Sequence, residues 1–332
     1  MKKKFFLILI LNAMLIWGLL FLGPISINFK TAFYDEMLSK LLIDVRLPRL
    51  IIAIFAGGGL SVCGLVLQTW FKNHLADPFL LGVHSGSSLG VVVYLLGLQF
   101  AFNKMLLPQS FGPVLSGIIG AFAVLIIILF ISRKFSGPIY IIIFGVVISF
   151  FITGLINLAL SFSTTTELRH FFLWSLGSFD RIGLLESIIV GVIVFISSLI
   201  LFLNSQALNL CLLGNNYALE AGLDNNNLNK IIIPAVGIIS GLISVFCGPI
   251  IFIGLMAPHI TRMYLRTSNH FLLIPGSFLV GAGLCQTVCF LSNGYLFSLS
   301  VPINALLGLL GTPFVLFLIM KTNSKNHQGS YA

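Results

Sequence analysis

Carboxylates are scarce in this chain: 332 residues hold nine Asp and Glu against 18 Lys and Arg, and charged residues of both signs make up only 8%. In an ordinary soluble chain roughly a quarter of residues are charged. With 58% hydrophobic residues, a water-soluble domain is excluded, because its apolar surface would exceed what it can bury. The nine acids, Asp35, Glu36, Asp44, Asp77, Glu167, Asp180, Glu186, Glu220 and Asp224, all fall between apolar runs or near their ends. The spans are therefore expected to hold no buried carboxylate, which argues against a stand-alone carrier whose proton or sodium coupling needs an ionisable group inside the membrane. No stretch matches G-x-x-x-x-G-K-[ST], so the chain has no phosphate-cradling loop of its own. Cys63, Cys211, Cys247, Cys285 and Cys289 lack metal-ligand spacing and read as small packing residues, with no metal site. The net charge of +9 sits in short clusters between apolar runs, a pattern of membrane orientation and not of nucleic-acid binding.

Apolar length is what the chain has in excess. Runs at 5–23, 47–71, 78–98, 112–131, 138–160, 183–203, 231–247, 249–265, 272–291 and 302–320 predict an all-α polytopic membrane protein of about ten transmembrane helices. The expected layout is a single permease-like domain over 1–332: a first span at 1–23, an outer loop at 24–45, spans two to six over 46–203, an inner loop at 204–230, spans seven to ten over 231–320 and a tail at 321–332. The first run exceeds a signal-peptide core of about 7 to 15 residues and no A-x-A site follows, so it reads as a retained helix. Eleven basic residues fall on the inner side against seven outside, placing both termini in the cytoplasm.

The second run is the centre of the pattern. It opens on Arg46-Leu-Pro-Arg49, carries Gly57, Gly58, Gly59, Ser61, Cys63 and Gly64, and ends in a polar corner at Lys72, Asn73 and His74. Small residues let helices approach closely in lipid. Pro78 after Asp77 marks the start of the next helix. Two arginines one turn apart read either as snorkelling anchors or as a fork for carboxylates of a partner. The inner loop suggests two short helices, Gln206–Leu213 ended by Gly214, and Asn216–Ala221 ended by Gly222. A further short helix is expected between spans five and six, with Trp174 at the interface.

These residues carry a resemblance. Arg46-Leu-Pro-Arg49, then Leu67-Gln-x-x-Phe-Lys-Asn-x-Leu-Ala-Asp-Pro78, then Leu81-Gly-Val-x-Ser-Gly86, and separately Gly248-Pro-Ile-Ile-Phe-Ile-Gly-Leu-Met-Ala-Pro-His-Ile-Thr-Arg262, are similar to the iron-complex and cobalamin importer permeases of the ABC superfamily. The resemblance runs from about residue 46 to 320 and implies the type II ABC importer permease fold in a bacterial cytoplasmic (inner) membrane. It implies a second permease copy or paralogue, an extracytoplasmic substrate-binding protein meeting Arg46 and Arg49, and two ATP-binding subunits. These would dock at Leu212, Leu213, Gly214, Tyr217, Ala218, Gly222 and Leu223. The chain itself would bind no cofactor and be no enzyme; ATP and Mg would be used by the partner. Ferric siderophore is the expected cargo, with haem and cobalamin as alternatives. His84, Ser85, Ser87, Ser88 and Asn157 are the expected pathway residues. His259 and Arg262 read as a helix-end pair. The chain departs from the family pattern where His74 replaces a proline, where Ser300-Val-Pro-Ile-Asn304 replaces an acidic-Leu-Pro-x-Gly run, and where the loop from Ser292 to Ser300 has no arginine.

Overall fold

The computed structural model describes residues 2–22, 35–94, 112–135, 138–214, 217, 220–222, 225–293 and 301–328. In chain order the helices are α1 (Lys2–Phe21) and α2 (Glu36–Lys40), which continues through a π-helical turn (Leu41–Arg46) into α3 (Leu47–Trp70). Then come α4 (Val83–Val92), α5 (Gly112–Lys134), α6 (Pro138–Leu160), α7 (Thr165–Ser175), α8 (Leu184–Leu203) and α9 (Ser205–Leu212). The last four are α10 (Asn225–Cys247), α11 (Ile253–Leu265), α12 (His270–Ser292) and α13 (Ile303–Gln328). No β-strand occurs among the described residues.

Seven of these are long and apolar enough to cross a bilayer: α1, the continuous α2–α3, α5, α6, α8, α10 and α12; the apolar part of α13, Ile303–Leu318, is shorter. Of the about ten expected spans, those at 78–98 and 249–265 begin as helices later than their apolar runs do. α4 begins at Val83 and α11 is only 13 residues long, because a non-helical segment precedes each and uses up the start of the apolar run. These segments lie at 76–82, ADPFLLG, and 248–252, GPIIF. Each follows a long helix, α3 or α10, and leads into a short one, α4 or α11.

α3 is the central post. Its most apolar window is 83% buried, against 22–61% for the other spanning helices, and it packs on α12, α8, α11 and α10. Glycine makes this possible. A Cβ on Gly57 would strike the carbonyl of Gly281 on α12, and one on Gly64 the carbonyl of Gly254 on α11, so the backbones meet where any side chain would hold them apart. α1 is clamped to α12 by Asn12, whose amide donates to the Leu279 carbonyl at 3.2 Å and accepts from Gln286 Nε2 at 3.2 Å.

Asp77 departs from expectation. It is 3% exposed, and a Cβ on Gly254 would touch both its Oδ1 and the Leu60 carbonyl. Leu60 lies ten residues before the end of α3, about 15 Å along the helix at 1.5 Å per residue. The chain after Trp70 therefore turns back alongside α3 and carries the carboxylate inward with it. There Asp77 caps a turn that leads towards α4: Oδ2 accepts the Phe79 N–H at 3.0 Å.

Candidate functional site

At one end of the bundle α9 is anchored from within. Ser205, Leu208 and Cys211, three residues apart, are buried. Asn209 donates to Asn269 Oδ1 at 3.0 Å, and its Oδ1 accepts the His270 backbone N–H at 2.8 Å while lying 2.8 Å from His270 Nδ1. The other ring nitrogen of His270 lies 2.7 Å from Thr69 Oγ1 near the end of α3. One buried imidazole thus joins α9, α12 and α3. Sequence alone pointed to neither Asn209 nor His270, because both bonds close over long separations in the chain.

The outward side of the same segment is bare. Leu212 is 49% and Leu213 61% exposed. Gly214 follows at φ +108°, where a side chain would be strained. Tyr217 is 58% exposed, its carbonyl accepts the Ala221 N–H at 2.9 Å, and Gly222 lies at φ +83°. Ala218 and Leu223 lie outside the described residues. The segment is thus anchored below and apolar above.

Beside it, the turn from α3 is tied to α11. Arg262 NH1 donates to Gln68 Oε1, and Gln68 Nε2 donates to the Gly254 carbonyl at 3.3 Å. His259 Nε2 donates to the His74 carbonyl at 2.8 Å. Burial, and then the Arg262 guanidinium, push the His74 pKa below its ordinary value, so that ring stays neutral near pH 7.

The two arginines of the opposite end have partners inside the protomer. Arg46 is 5% exposed, and its NH1 donates to the carbonyls of Leu20 at 2.6 Å and Leu22 at 3.1 Å. It places a positive charge where the dipole of α1 is negative. Arg49 pairs through Nε with Asp180 Oδ1. At this end Asn304 Nδ2 donates to the carbonyls of Ser175 at 3.1 Å and Pro249 at 2.6 Å, and Trp174 Nε1 donates to the Val245 carbonyl at 3.0 Å. Asn304, the residue that departs from the family pattern, stitches α7, the break before α11 and the start of α13 together.

The expected pathway residues separate into two groups. His84 is buried with Nδ1 on Ser244 Oγ of α10, Ser87 Oγ donates to the Gly241 carbonyl at 3.4 Å, and Ser88 Oγ to the His84 carbonyl at 2.9 Å. His84 and Ser87 thus face the neighbouring helix α10 within the protomer, the Ser88 bond stays within α4, and Ser85 is half-buried. Asn157 is exposed on α6.

Comparison with known proteins gives this geometry a family. A family model described as the FecCD transport family matches residues 7–321. The chain belongs to the FecCD transport family. Among relatives, this FecCD chain is 29% identical to the hemin transport system permease protein HmuU of Yersinia pestis over 318 residues, covering 95% of this chain and 94% of that one. It is 30% identical over 322 residues to the vitamin B12 import system permease protein BtuC of Vibrio vulnificus, covering 95% and 92%. A solved structure described as an inward-facing, metal-chelate type ABC transporter superposes with a TM-score of 0.83 at 29% identity, covering 97% of this chain and 100% of that one. The protein is thus a multi-pass ABC importer permease, a subunit type without a catalytic site of its own.

Proposed function

We propose that this FecCD permease forms the membrane pathway of an ATP-driven importer for an iron complex, ferric siderophore first and haem second. The observation that carries the ATP-driven part is α9: buried on Leu208 and Cys211, bonded through Asn209, and bare at Leu212, Leu213 and Tyr217. In this reading two ATP-binding subunits, which use the ATP and Mg, dock on that face, and it lies in the cytoplasm with both termini. Arg46 and Arg49 then mark the outer end, where a substrate-binding protein delivers cargo to a bacterial inner-membrane complex. A second permease copy or paralogue covers α6 and α13, whose large apolar side chains Phe150, Phe151, Leu309 and Phe317 are exposed. Exposed Asn157 on α6 favours that side for the pathway, since an amide facing lipid is costly. The chain itself holds no cofactor.

Motion of α9 reaches α3 and α12 through His270, and α3 carries the packing of the protomer. The buried Asp77 does not support an ion-coupled carrier, because its Oδ2 caps the turn at Phe79. Cobalamin is the second reading of the cargo, favoured by the BtuC relatives. Proteoliposomes holding the permease with its ATPase and binding protein, given labelled ferric siderophore, haem or cobalamin, separate the cargoes. Saturable ATP-dependent uptake of an iron complex supports the first reading, and uptake of cobalamin alone replaces it with the second.

A further inference from the structure

Between the end of α3, the turn after it, α9 and the loop from α11 to α12 lies a cavity of about 290 Å³. Gln68, Lys72, His74, Arg262 and Ser268 line it, with buried His270 as part of its wall. Its charge is one-sided: Lys72 and Arg262 line it beside neutral polar and apolar groups, and among the described residues no carboxylate does. Arg262 is half-buried, its hydrogen bond goes to the neutral amide of Gln68, and no Asp or Glu among the described residues forms an ion pair with it. The Gly254 carbonyl holds the Gln68 amide so that its oxygen is turned to Arg262. A guanidinium drawn out of water without an anion is costly, and a carboxylate or phosphate that it can grip with two N–H groups recovers the cost.

We propose that this cavity receives a carboxylate side chain of the ATP-hydrolysing subunit. The proposal rests on the reading of α9 as that subunit's docking face. Continuity selects the occupant: Leu212 lines the cavity and is 49% exposed beside Leu213, so a partner that covers these leucines also covers the opening. The volume suits one acidic side chain with a few waters, each of which takes about 30 Å³. Lys72, exposed at the cavity, adds charge complementarity at the rim. A carboxylate bound there is linked through Arg262 and Gln68 to the Gly254 carbonyl at the start of α11, so docking engages both ends of that short helix.

The test measures binding of the purified ATPase to the full-length permease in nanodiscs, for the wild type, Lys72→Glu, Arg262→Gln and Leu213→Asp, with the melting temperature of each permease taken in parallel. Lys72→Glu and Arg262→Gln are expected to weaken binding about tenfold or more and to flatten its salt dependence. Arg262→Gln also removes a contact to Gln68, so Lys72→Glu, at an exposed position, decides if the former melts early. Wild-type affinity in Lys72→Glu, together with lost binding in Leu213→Asp, overturns the cavity proposal and leaves the docking reading standing. Undiminished binding in Leu213→Asp overturns the docking reading itself. Millimolar inorganic phosphate that raises the melting temperature of the wild type but not of Arg262→Gln, with ATPase binding unaffected by either cavity variant, assigns the cavity to a free anion and overturns the proposal.

Discussion

Asn209 and His270, one on the short helix α9 and the other at the first position of α12, share a doubled contact: the Asn209 Oδ1 accepts the His270 backbone N–H at 2.8 Å and lies 2.8 Å from Nδ1 of the same residue. The far side of the imidazole reaches Thr69 at 2.7 Å. Removing the amide leaves a buried ring nitrogen without its partner, at a cost of about 1–3 kcal/mol. Asn209→Ala is expected to retain ATP hydrolysis in the assembled transporter while cargo moved per ATP falls several-fold. An unchanged ratio in a fully assembled complex would remove His270 from the transmission route.

Arg46 and Arg49 part company in their expected effects. Arg46→Gln strips the carbonyls of Leu20 and Leu22 of a charged donor, so the melting temperature falls, and capture of the binding protein falls only in proportion to folded permease. Arg49→Asp sets two carboxylates against each other at Asp180, and the exchange Arg49→Asp with Asp180→Arg restores stability. A normal melt with lost capture in Arg46→Gln would return that residue to the docking surface.

Two glycine substitutions make a matched pair. A methyl on Gly64 strikes the Gly254 carbonyl, a backbone atom that cannot rotate away, whereas a methyl on Gly154 meets nothing within 4 Å in the protomer. Gly64→Ala is expected to lose stability by about 1–3 kcal/mol and most of the folded yield in membranes. Gly154→Ala should match the wild type in thermal melts of the purified protein.

Much of this architecture was legible in the sequence, and the exceptions share a cause. The Asp77-Pro78 turn, although α4 itself begins only at Val83, and the helix expected at Gln206–Leu213, found at Ser205–Leu212, are local signals of capping and periodicity. The depth of Asp77 was not legible, because it depends on the chain reversing beside Leu60 and on Gly254 arriving from 177 positions away. Arg46 looked like a surface arginine since nothing nearby in sequence says that the end of α1 folds against it. Asn304 stood out as a departure from the family pattern, but its two carbonyl partners come from α7 and the break before α11, which only the packed bundle brings together.

The helix α7, which is not one of the spanning-length helices, carries a pH dependence. Hydrogen bonds from the Thr164 N–H and hydroxyl hold the Glu167 carboxyl below its ordinary pKa. Because the folded pKa is depressed, the cap contributes fully above the ordinary carboxylate range and is lost as pH falls through the folded value. Amide exchange in α7 should therefore rise on acidification in the wild type, and in Glu167→Gln it should be raised already at neutral pH and vary less between the two conditions.

The central claim is that ATP hydrolysed by a partner on the α9 face drives transport through this chain. Its most direct test is uptake of labelled ferric siderophore and haem into proteoliposomes containing the permease, the binding protein and an ATPase that is either intact or disabled in its phosphate loop. Uptake that requires the intact ATPase and persists when ion gradients are collapsed is the predicted result. Uptake that survives the disabled ATPase and vanishes with the proton or sodium gradient would contradict the account and make the chain an ion-coupled carrier.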